Sequence, residues 1–346
     1  MLHFCTLFDS NYLSRGLVTY HSLMQSTQGA CHLYVFAFDD LCFDTLTYLK
    51  LPNLTVISLA EFEDEELLHV KPTRTRGEYC WTCTSSTILY ALEKFDLPHC
   101  TYIDADMFFY NNPQILLDEM PADAHVLITD HRYTPQYDKS RLAGRYCVQF
   151  VYFKNTKQGM ETLNWWRERC LEWCFNRLED GKFGDQKYLD DWATRFEGIH
   201  ELLHIGGGIA PWNVQQYNFD LTEKILRGSI NDSYSRLYVN DTFIEKYKTP
   251  DFTPVFFHFH GVKLYQNSAA IYAPKMYILT QNVRSIFYEP YIAAVLAQQE
   301  YLKTIDPIFE KTGLLPAQQF REDSRKGWGG FLKTNLLNKY FGLKLN

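Results

Sequence analysis

Residues 1–130 alternate between short apolar runs and segments with helical spacing. Apolar runs bounded by turn residues predict strands, whereas apolar residues three or four apart predict helices. The predicted strands are 2–8, 31–38, 54–59, 101–103 and 125–129, and the predicted helices are 11–25, 40–50 and 78–95. This alternation predicts an α/β fold in which helices flank a mostly parallel sheet.

The second half of the chain is less regular. The predicted strands are 145–153 and 254–260, and the predicted helices are 156–178 and 276–303, the last interrupted at Pro290. No internal repeat or low-complexity linker divides the sequence. It therefore favours one α/β domain over residues 1–265, followed by a helical extension over residues 266–346.

Composition narrows the class of protein. A hydrophobic fraction of 46% and a charged fraction of 22% over 346 residues are typical of a globular protein. The net charge of −7 argues against a nucleic-acid partner. The start of the chain lacks the basic and apolar regions of a signal peptide, and the nine cysteines are irregularly spaced. We therefore expect a cytoplasmic protein with reduced thiols.

One cysteine pair has the spacing of a redox or zinc motif. Cys80 and Cys83 are three residues apart, but both lie in the predicted helix 78–95. A thioredoxin-like pair is expected at a turn between a strand and a helix. Core packing is therefore the better interpretation, and the redox or zinc alternative stays open.

Two aspartates follow the apolar strand 101–103. Asp104 and Asp106, in Tyr102-Ile-Asp-Ala-Asp, are two residues apart, so an extended chain points both to the same side. Ligands of α/β sheets bind beyond the carboxyl ends of the strands. Mg²⁺ and Mn²⁺ prefer carboxylate oxygens and the phosphates of a substrate. The pair predicts a metal site that neutralises a diphosphate; two turn aspartates are the alternative.

The Asp-Ala-Asp segment resembles the nucleotide-sugar glycosyltransferases of the GT-A fold. It is most similar to glycosyltransferase family 8, which includes glycogenin and bacterial lipopolysaccharide galactosyl- and glucosyltransferases. Five further segments agree with that family in order: Asp9-Ser-Asn11-Tyr12, Glu78-Tyr-Cys-Trp-Thr, the strand from Tyr146 to Asn155, Gly184-Asp185-Gln186, and His258-Phe-His260-Gly261-Val-Lys263. The resemblance covers roughly residues 1–265.

The resemblance implies a metal site made of Asp104, Asp106 and His258. An imidazole beside two carboxylates favours Mn²⁺ over Mg²⁺. His260 is the alternative ligand, although strand alternation turns it to the other face. The resemblance also implies that a UDP-sugar is the donor.

The same family has nucleotide contacts near both the beginning and the end of the segment that corresponds to residues 1–265. Asp9, Asn11 and Tyr12 are expected at the uracil and ribose, and Asp104 at the diphosphate. Gly261 would let the backbone approach a phosphate, and Lys263 would neutralise it. Lys263 follows Gly261 by two residues rather than the three of the family motif.

The family resemblance also implies which residues contact the sugar and which lie at the reacting centre. The expected sugar-binding residues are Arg76, Asp130, Gln149 and Trp212. Trp212 belongs to a Gly-rich segment that fits either an acceptor loop or a plain turn.

Asp185 and Gln186 are expected at the anomeric carbon. The acceptor would attack from the face of the leaving group, or a double displacement would pass through Asp185. An N-cap role for Asp185 is the structural alternative.

These observations predict a metal-dependent glycosyltransferase. It would move a hexose from a UDP-sugar to a glycan or lipid-linked saccharide, with retention of anomeric configuration. A sugar nucleotidyltransferase and an inactive glycan-binding or scaffold protein are the alternatives.

Residues 321–346 mix basic with aromatic and aliphatic side chains. This predicts peripheral contact with the inner face of a membrane, with a helix that packs on the domain as the alternative.

Overall fold

The computed structural model describes residues 1–231 and 251–325. The strands of the main sheet and its neighbours are β1 (Leu2–Phe8), β2 (Cys31–Ala37), β3 (Leu54–Ser58), β4 (His99–Ile103), β5 (Met107–Phe109), β6 (Val126–Asp130), β7 (Tyr146–Lys154), β8 (Ile199–Glu201), β9 (Tyr217–Thr222), β10 (Ile225–Ile230), β11 (Asp251–Phe252), β12 (Phe256–His258), β13 (Lys263–Leu264) and β14 (Ala270–Ile271).

Helices connect most of these strands and extend beyond them. They are α1 (Leu13–Ser26), α2 (Asp40–Leu49), α3 (Leu59–Phe62), α4 (Glu65–Val70), α5 (Arg76–Lys94), α6 (Gln114–Leu117), α7 (Ser140–Ala143), α8 (Lys157–Glu172), α9 (Trp192–Arg195), α10 (Gln281–Val283), α11 (Glu289–Ile305) and α12 (Gln319–Arg325).

Seven strands form one mixed, mostly parallel sheet in the order β3-β2-β1-β4-β7-β6-β8. β1, β2, β3 and β4 run parallel, and β7 runs antiparallel to both of its neighbours. The α/β fold and its mostly parallel sheet are confirmed. The carboxyl ends of β1 and β4 lie side by side, which is where the fold class places a ligand.

Alternate residues of the central strands pack on opposite faces of the sheet. Cys5 and Leu7 of β1 join one buried cluster with Trp166 of α8, while Phe4 and Phe8 join another with Leu17 of α1. Both faces are therefore covered by helices, as the near-continuous apolar strands require.

A separate pair of short strands links distant parts of the chain. β5 pairs antiparallel with β12, with His258 opposite Met107. In addition, the N–H of Phe259 donates to the carbonyl of Asp106 at 2.9 Å. This register places the His258 segment directly beside the Asp-Ala-Asp segment. The predicted strand 254–260 is shortened to Phe256–His258, and β5 is absent from the sequence prediction.

The C-terminal helical region corrects one expectation. The backbone is helical from α10 through a π-helical stretch, Arg284–Tyr288, into α11. Pro290 is therefore not an interruption. It lies two residues after the end of the π-helical stretch, at the beginning of the regular α-helical part.

Only the beginning of the basic C-terminal segment belongs to the described residues. α12 ends at Arg325. The membrane-binding prediction concerns residues 321–346, and residues 326–346 of that segment lie outside the described residues. Within the described part of the chain, no helix combines the length and the apolar character needed to span a bilayer.

The two cysteines with redox spacing both lie in α5. Both thiols are free. Burial raises the pKa of Cys80 to about 12 and raises that of Cys83 well above its usual value. A thiol held in its protonated form is a poor nucleophile and a poor metal ligand. The core-packing interpretation is therefore favoured.

Candidate active site

A cavity of about 740 Å³ opens at the edge of the sheet where β1 and β4 end. It is lined by Asp9 after β1, by Asp104 after β4 and by Arg76 at the start of α5. Asp185 and His258 complete its floor from later parts of the chain. This volume is in the range of small-molecule sites.

Three of its side chains form a cluster of metal-ligand type. One potential ligand atom from each of Asp104, Asp106 and His258 lies within 4.8 Å of the others. Nε2 of His258 is 3.1 Å from Oδ1 of Asp106 and 3.5 Å from Oδ2 of Asp104. Two carboxylates and one imidazole nitrogen suit Mn²⁺, and the free edge of the cluster faces the cavity.

A buried glutamine fixes the orientation of the imidazole. Nδ1 of His258 is 2.8 Å from Oε1 of Gln149, whose side chain is fully buried. An amide oxygen only accepts hydrogen bonds, so Nδ1 carries the hydrogen and Nε2 faces the carboxylates. In the neutral ring Nε2 therefore holds the lone pair that a metal needs. The residues present fit a divalent cation.

Charges within the cluster shift the pKa of each member. Burial alone would raise the pKa of Asp106, but the adjacent His258 lowers it below its usual value. Burial would likewise lower the pKa of His258, yet Asp106 raises it well above the ordinary range. Burial raises the pKa of Asp104. Without a cation, one imidazolium thus neutralises part of the carboxylate charge, so a metal would replace a proton.

Asp185 lies on the floor of the cavity and is only 5% exposed. Burial, the largest cause, raises its pKa to about 7; a hydrogen bond with Thr84 opposes this shift and the nearby Asp104 adds to it. Its side chain makes no capping hydrogen bond to the following 3₁₀ helix, Gln186–Asp191. The N-cap alternative is thus not supported. Gln186 lines the cavity while its Nε2 donates to the carbonyl of Ala143 at 2.7 Å.

Asp9 and Tyr12 line the cavity beside the metal-ligand cluster. The carboxylate of Asp9 accepts the N–H of Asn11 at 2.8 Å, and its other oxygen lies 2.5 Å from Arg76. The charge of Asp106, followed by burial, raises the pKa of Tyr12 to about 12. Arg76 also bonds Asp39 at 3.1 Å, so its charge is already balanced by two carboxylates.

Five of the residues predicted for this site do not line the cavity, and three of them are Asn11, Asp130 and Gln149. Asn11 is exposed, and its Oδ1 accepts the N–H of Gly313. Asp130 faces a neighbouring surface pocket, where its carboxylate is 2.8 Å from Arg145. Gln149 lies beneath His258, as described above. In the structure Gln149 therefore contacts the candidate metal ligand His258 and does not reach the cavity where a sugar would bind.

Gly261 and Lys263 also lie outside the cavity lining. Gly261 has φ +77°, and a Cβ there would meet the ring of Pro274 at 2.6 Å, so packing explains this glycine. Nζ of Lys263 is 3.1 Å from Oδ2 of Asp323 in α12. The two residues predicted at a phosphate thus have other partners.

Trp212 does line the cavity. Its Nε1 donates to the carbonyl of His131 at 2.9 Å, and its ring meets His258 edge to face. The Gly-rich segment before it, 205–211, is buried. This segment is a packed turn that holds the indole in place, in agreement with the plain-turn alternative.

Sequence reasoning missed several cavity residues, among them His131 and Cys147. His131 follows Asp130 directly at the end of β6, so strand alternation could have pointed to it. Burial would raise the pKa of Cys147, but the adjacent His131 lowers it to about 7. Cys147 lies in the strand from Tyr146 to Asn155, one of the segments that carry the family resemblance, but the prediction for that strand named only Gln149.

The chain is similar to proteins of Bacillus subtilis (strain 168). It is 28% identical to the uncharacterized protein YfnD over 321 residues, which cover 91% of this chain and 94% of YfnD. It is 34% identical to the uncharacterized protein YfnF over 223 residues, which cover 62% of this chain and 73% of YfnF. No protein-family model matches the chain.

Among solved structures, the chain is similar to the galactosyltransferase LgtC in complex with donor and acceptor sugar analogues. The TM-score is 0.51 at 12% sequence identity, and the match covers 86% of this chain and 96% of LgtC. At this identity the likeness establishes the fold. The chain therefore belongs to the same protein family as YfnF of Bacillus subtilis, and its fold is the GT-A fold of glycosyltransferases.

Proposed function

We propose that the protein is a metal-dependent glycosyltransferase that transfers a hexose from a UDP-sugar to a glycan or lipid-linked saccharide, with retention of anomeric configuration. The observation that carries this proposal is the cluster of Asp104, Asp106 and His258. It opens into a cavity of about 740 Å³ at the carboxyl edge of a GT-A sheet. An inactive binding protein on this fold would have no use for such a cluster.

The proposed metal is Mn²⁺ or Mg²⁺, held by Asp104, Asp106 and His258. When bound, the ion would neutralise the diphosphate of the leaving group. Gln149 would keep the imidazole oriented through the 2.8 Å hydrogen bond to Nδ1. The two carboxylates would supply the oxygen ligands that these cations prefer.

Asp9 and Tyr12 lie at the end of the cavity that we assign to the nucleotide. The salt bridge between Asp9 and Arg76 holds the start of α5 against the end of β1. Asn11, which points to Gly313, would contribute through its backbone position alone. This arrangement supports a base and ribose site formed mainly by the loop after β1.

Asp185 is assigned to the reacting centre, with Gln186 beside it. Two routes to retention remain compatible with its position. In one, the acceptor hydroxyl attacks from the face of the departing UDP, and Asp185 binds a sugar hydroxyl. In the other, the carboxylate of Asp185 forms a covalent intermediate. With a pKa of about 7, Asp185 is only partly ionised at neutral pH, which limits the second route at neutral pH and below.

Calorimetric titration of UDP into the wild-type protein, with and without Mn²⁺, tests the proposal. We expect binding that depends on Mn²⁺. A following screen of UDP-sugars for slow hydrolysis would then identify the donor. Metal-independent binding of UDP would contradict the assigned metal site and the proposed function, and no binding in either condition would remove the nucleotide assignment of Asp9 and Tyr12.

The hydrogen bond behind the metal site gives a separate prediction. Gln149→Leu keeps the approximate volume but leaves Nδ1 of His258 without its acceptor. We expect Mn²⁺ affinity to fall by about 10–100-fold, the usual effect of losing a partner behind a ligating histidine. Titration of Mn²⁺ measures this change. Gln149→Glu is the matched variant, because a carboxylate oxygen still accepts from Nδ1; equal Mn²⁺ affinity in Gln149→Leu and wild type would contradict the assignment.

A further inference from the structure

The wall of the cavity contains cationic side chains in two different situations. Arg76 contacts both Asp9 and Asp39, at 2.5 Å and 3.1 Å, so these carboxylates already balance its charge. Lys139, in the segment before α7, also lines the cavity. Within residues 1–231 and 251–325, no carboxylate oxygen lies within 4.0 Å of its ammonium.

The contacts of Lys139 within the described part of the chain leave most of its hydrogen-bonding capacity unused. Its Nζ is 3.4 Å from the sulfur of Met276 and 6.0 Å from the centre of the Tyr277 ring. An ammonium has three donors, and a thioether sulfur is a weak acceptor. A half-buried lysine of this kind is suited to an anion that arrives with a substrate.

The backbone that carries Lys139 is held in place from two sides. On one side, the hydroxyl of Tyr137 accepts the N–H of Ile278 at 3.1 Å. On the other, Nζ of Lys187 donates to the carbonyl of Ser140 at 2.8 Å. These contacts tie the segment to Ile278 on one side and to Lys187, two residues after Asp185, on the other. The position of Lys139 therefore does not depend on a bound ligand.

Lys263, the lysine that the sequence resemblance assigned to the diphosphate, is in the opposite situation. Its Nζ is 3.1 Å from Asp323, and its side chain is not part of the cavity lining. To reach a phosphate it would first have to break this ion pair. The structure thus separates two lysines by their surroundings. Lys139 faces the cavity with no counter-ion among the described residues, and Lys263 is paired with Asp323 outside the cavity.

We propose that Lys139, and not Lys263, is the side chain that binds the diphosphate of the nucleotide donor, together with the metal. This inference rests on the proposed function. Asp104 and Asp106 supply two negative charges, which a divalent cation only balances. Of the described arginines and lysines that line the cavity, Arg76 is already paired with two carboxylates and Lys139 has no such partner. The ammonium of Lys139 supplies the additional positive charge.

The test is calorimetric titration of UDP and of UMP at saturating Mn²⁺ into the wild-type protein, Lys139→Met and Lys263→Met. Both substitutions remove an ammonium and keep an unbranched side chain. We expect Lys139→Met to weaken UDP binding about 10-fold or more, the effect of losing a charge-assisted hydrogen bond. The loss should be smaller for UMP, which lacks the β-phosphate, and Lys263→Met should stay within about 2-fold of wild type.

Lys139→Arg serves as the charge-preserving variant and should retain most of the UDP affinity. Wild-type UDP affinity in Lys139→Met, or the larger loss in Lys263→Met, would overturn the assignment of Lys139 and leave the proposed function intact. An equal loss for UDP and UMP would also overturn it, since the β-phosphate would then not be the group contacted. No binding of UDP to the wild-type protein would overturn the proposed function and this inference together.

Discussion

Asp106→Asn is expected to abolish Mn²⁺-dependent binding of UDP under conditions in which the wild-type protein binds. Asp106 is the carboxylate closest to His258, at 3.1 Å, and is 9% exposed. Removal of a residue that hydrogen-bonds a metal ligand weakens metal affinity by about 10–100-fold. Removal of the ligand itself should therefore weaken Mn²⁺ affinity by about 100-fold or more. Titration of Mn²⁺ and then of UDP measures both losses.

Asp44→Asn is the matched control for this variant. Asp44 lies in α2 with an exposed side chain and undergoes the same chemical change away from the cavity. The control should bind Mn²⁺ and UDP as the wild-type protein does. Thermal unfolding of both variants would verify that they fold. Unchanged metal-dependent UDP binding in a folded Asp106→Asn protein would rule out the proposed metal site.

Asp185→Asn is expected to stabilise the protein at pH 8 while removing sugar transfer. Burial raises the pKa of Asp185 from 3.8 to about 7, so the folded state disfavours the ionised carboxylate that prevails at pH 8. One pKa unit corresponds to about 1.4 kcal/mol, which gives a gain of up to about 4 kcal/mol in the free energy of unfolding. The neutral amide keeps the size of the side chain and does not carry this penalty.

The raised pKa of Asp185 determines how the stability difference between the variant and the wild-type protein changes with pH. An acid whose pKa is higher in the folded state than in the unfolded state loses stability as pH rises from about 4 to about 7. The two proteins should therefore have similar stability below pH 4 and diverge above it, with the variant more stable. Urea unfolding at pH 4 and pH 8 measures the difference. A variant less stable than wild type at pH 8 would show that ionised Asp185 stabilises the fold.

Measurements of UDP binding and of sugar transfer distinguish the proposed role of Asp185 at the reacting centre from a role in the metal site. UDP lacks the sugar that Asp185 is proposed to contact, so Asp185→Asn should bind UDP with Mn²⁺ like the wild-type protein. Transfer or hydrolysis of the sugar donor should fall by about 100-fold or more, the range for loss of a group at the reacting centre. Loss of UDP binding in this variant would move Asp185 to the nucleotide site.

Local sequence patterns predicted the first half of the fold well. Each predicted strand and helix there has a counterpart with boundaries shifted by a few residues, because apolar periodicity and turn residues act over short distances. β5 was missed for the same reason. Its three residues have no pattern of their own, and it exists as a strand because it pairs with β12.

The candidate site was predictable where chemistry and position coincide in the sequence. Asp104 and Asp106 directly follow β4, and His258 was assigned from the family resemblance. All three line the cavity. Lys263 illustrates the limit. Its direction is decided by Asp323 in a distant helix, a contact that no local pattern indicates.

The pairing of β5 with β12 has a consequence for the order of events during protein synthesis. The two carboxylates leave the ribosome early, whereas His258 and its strand emerge only after most of the chain has been made. A nascent chain can therefore present Asp104 and Asp106 long before the third ligand exists. Acquisition of the cation becomes a late step that follows the closure of this strand pair, so an incompletely synthesised chain would be unable to retain it.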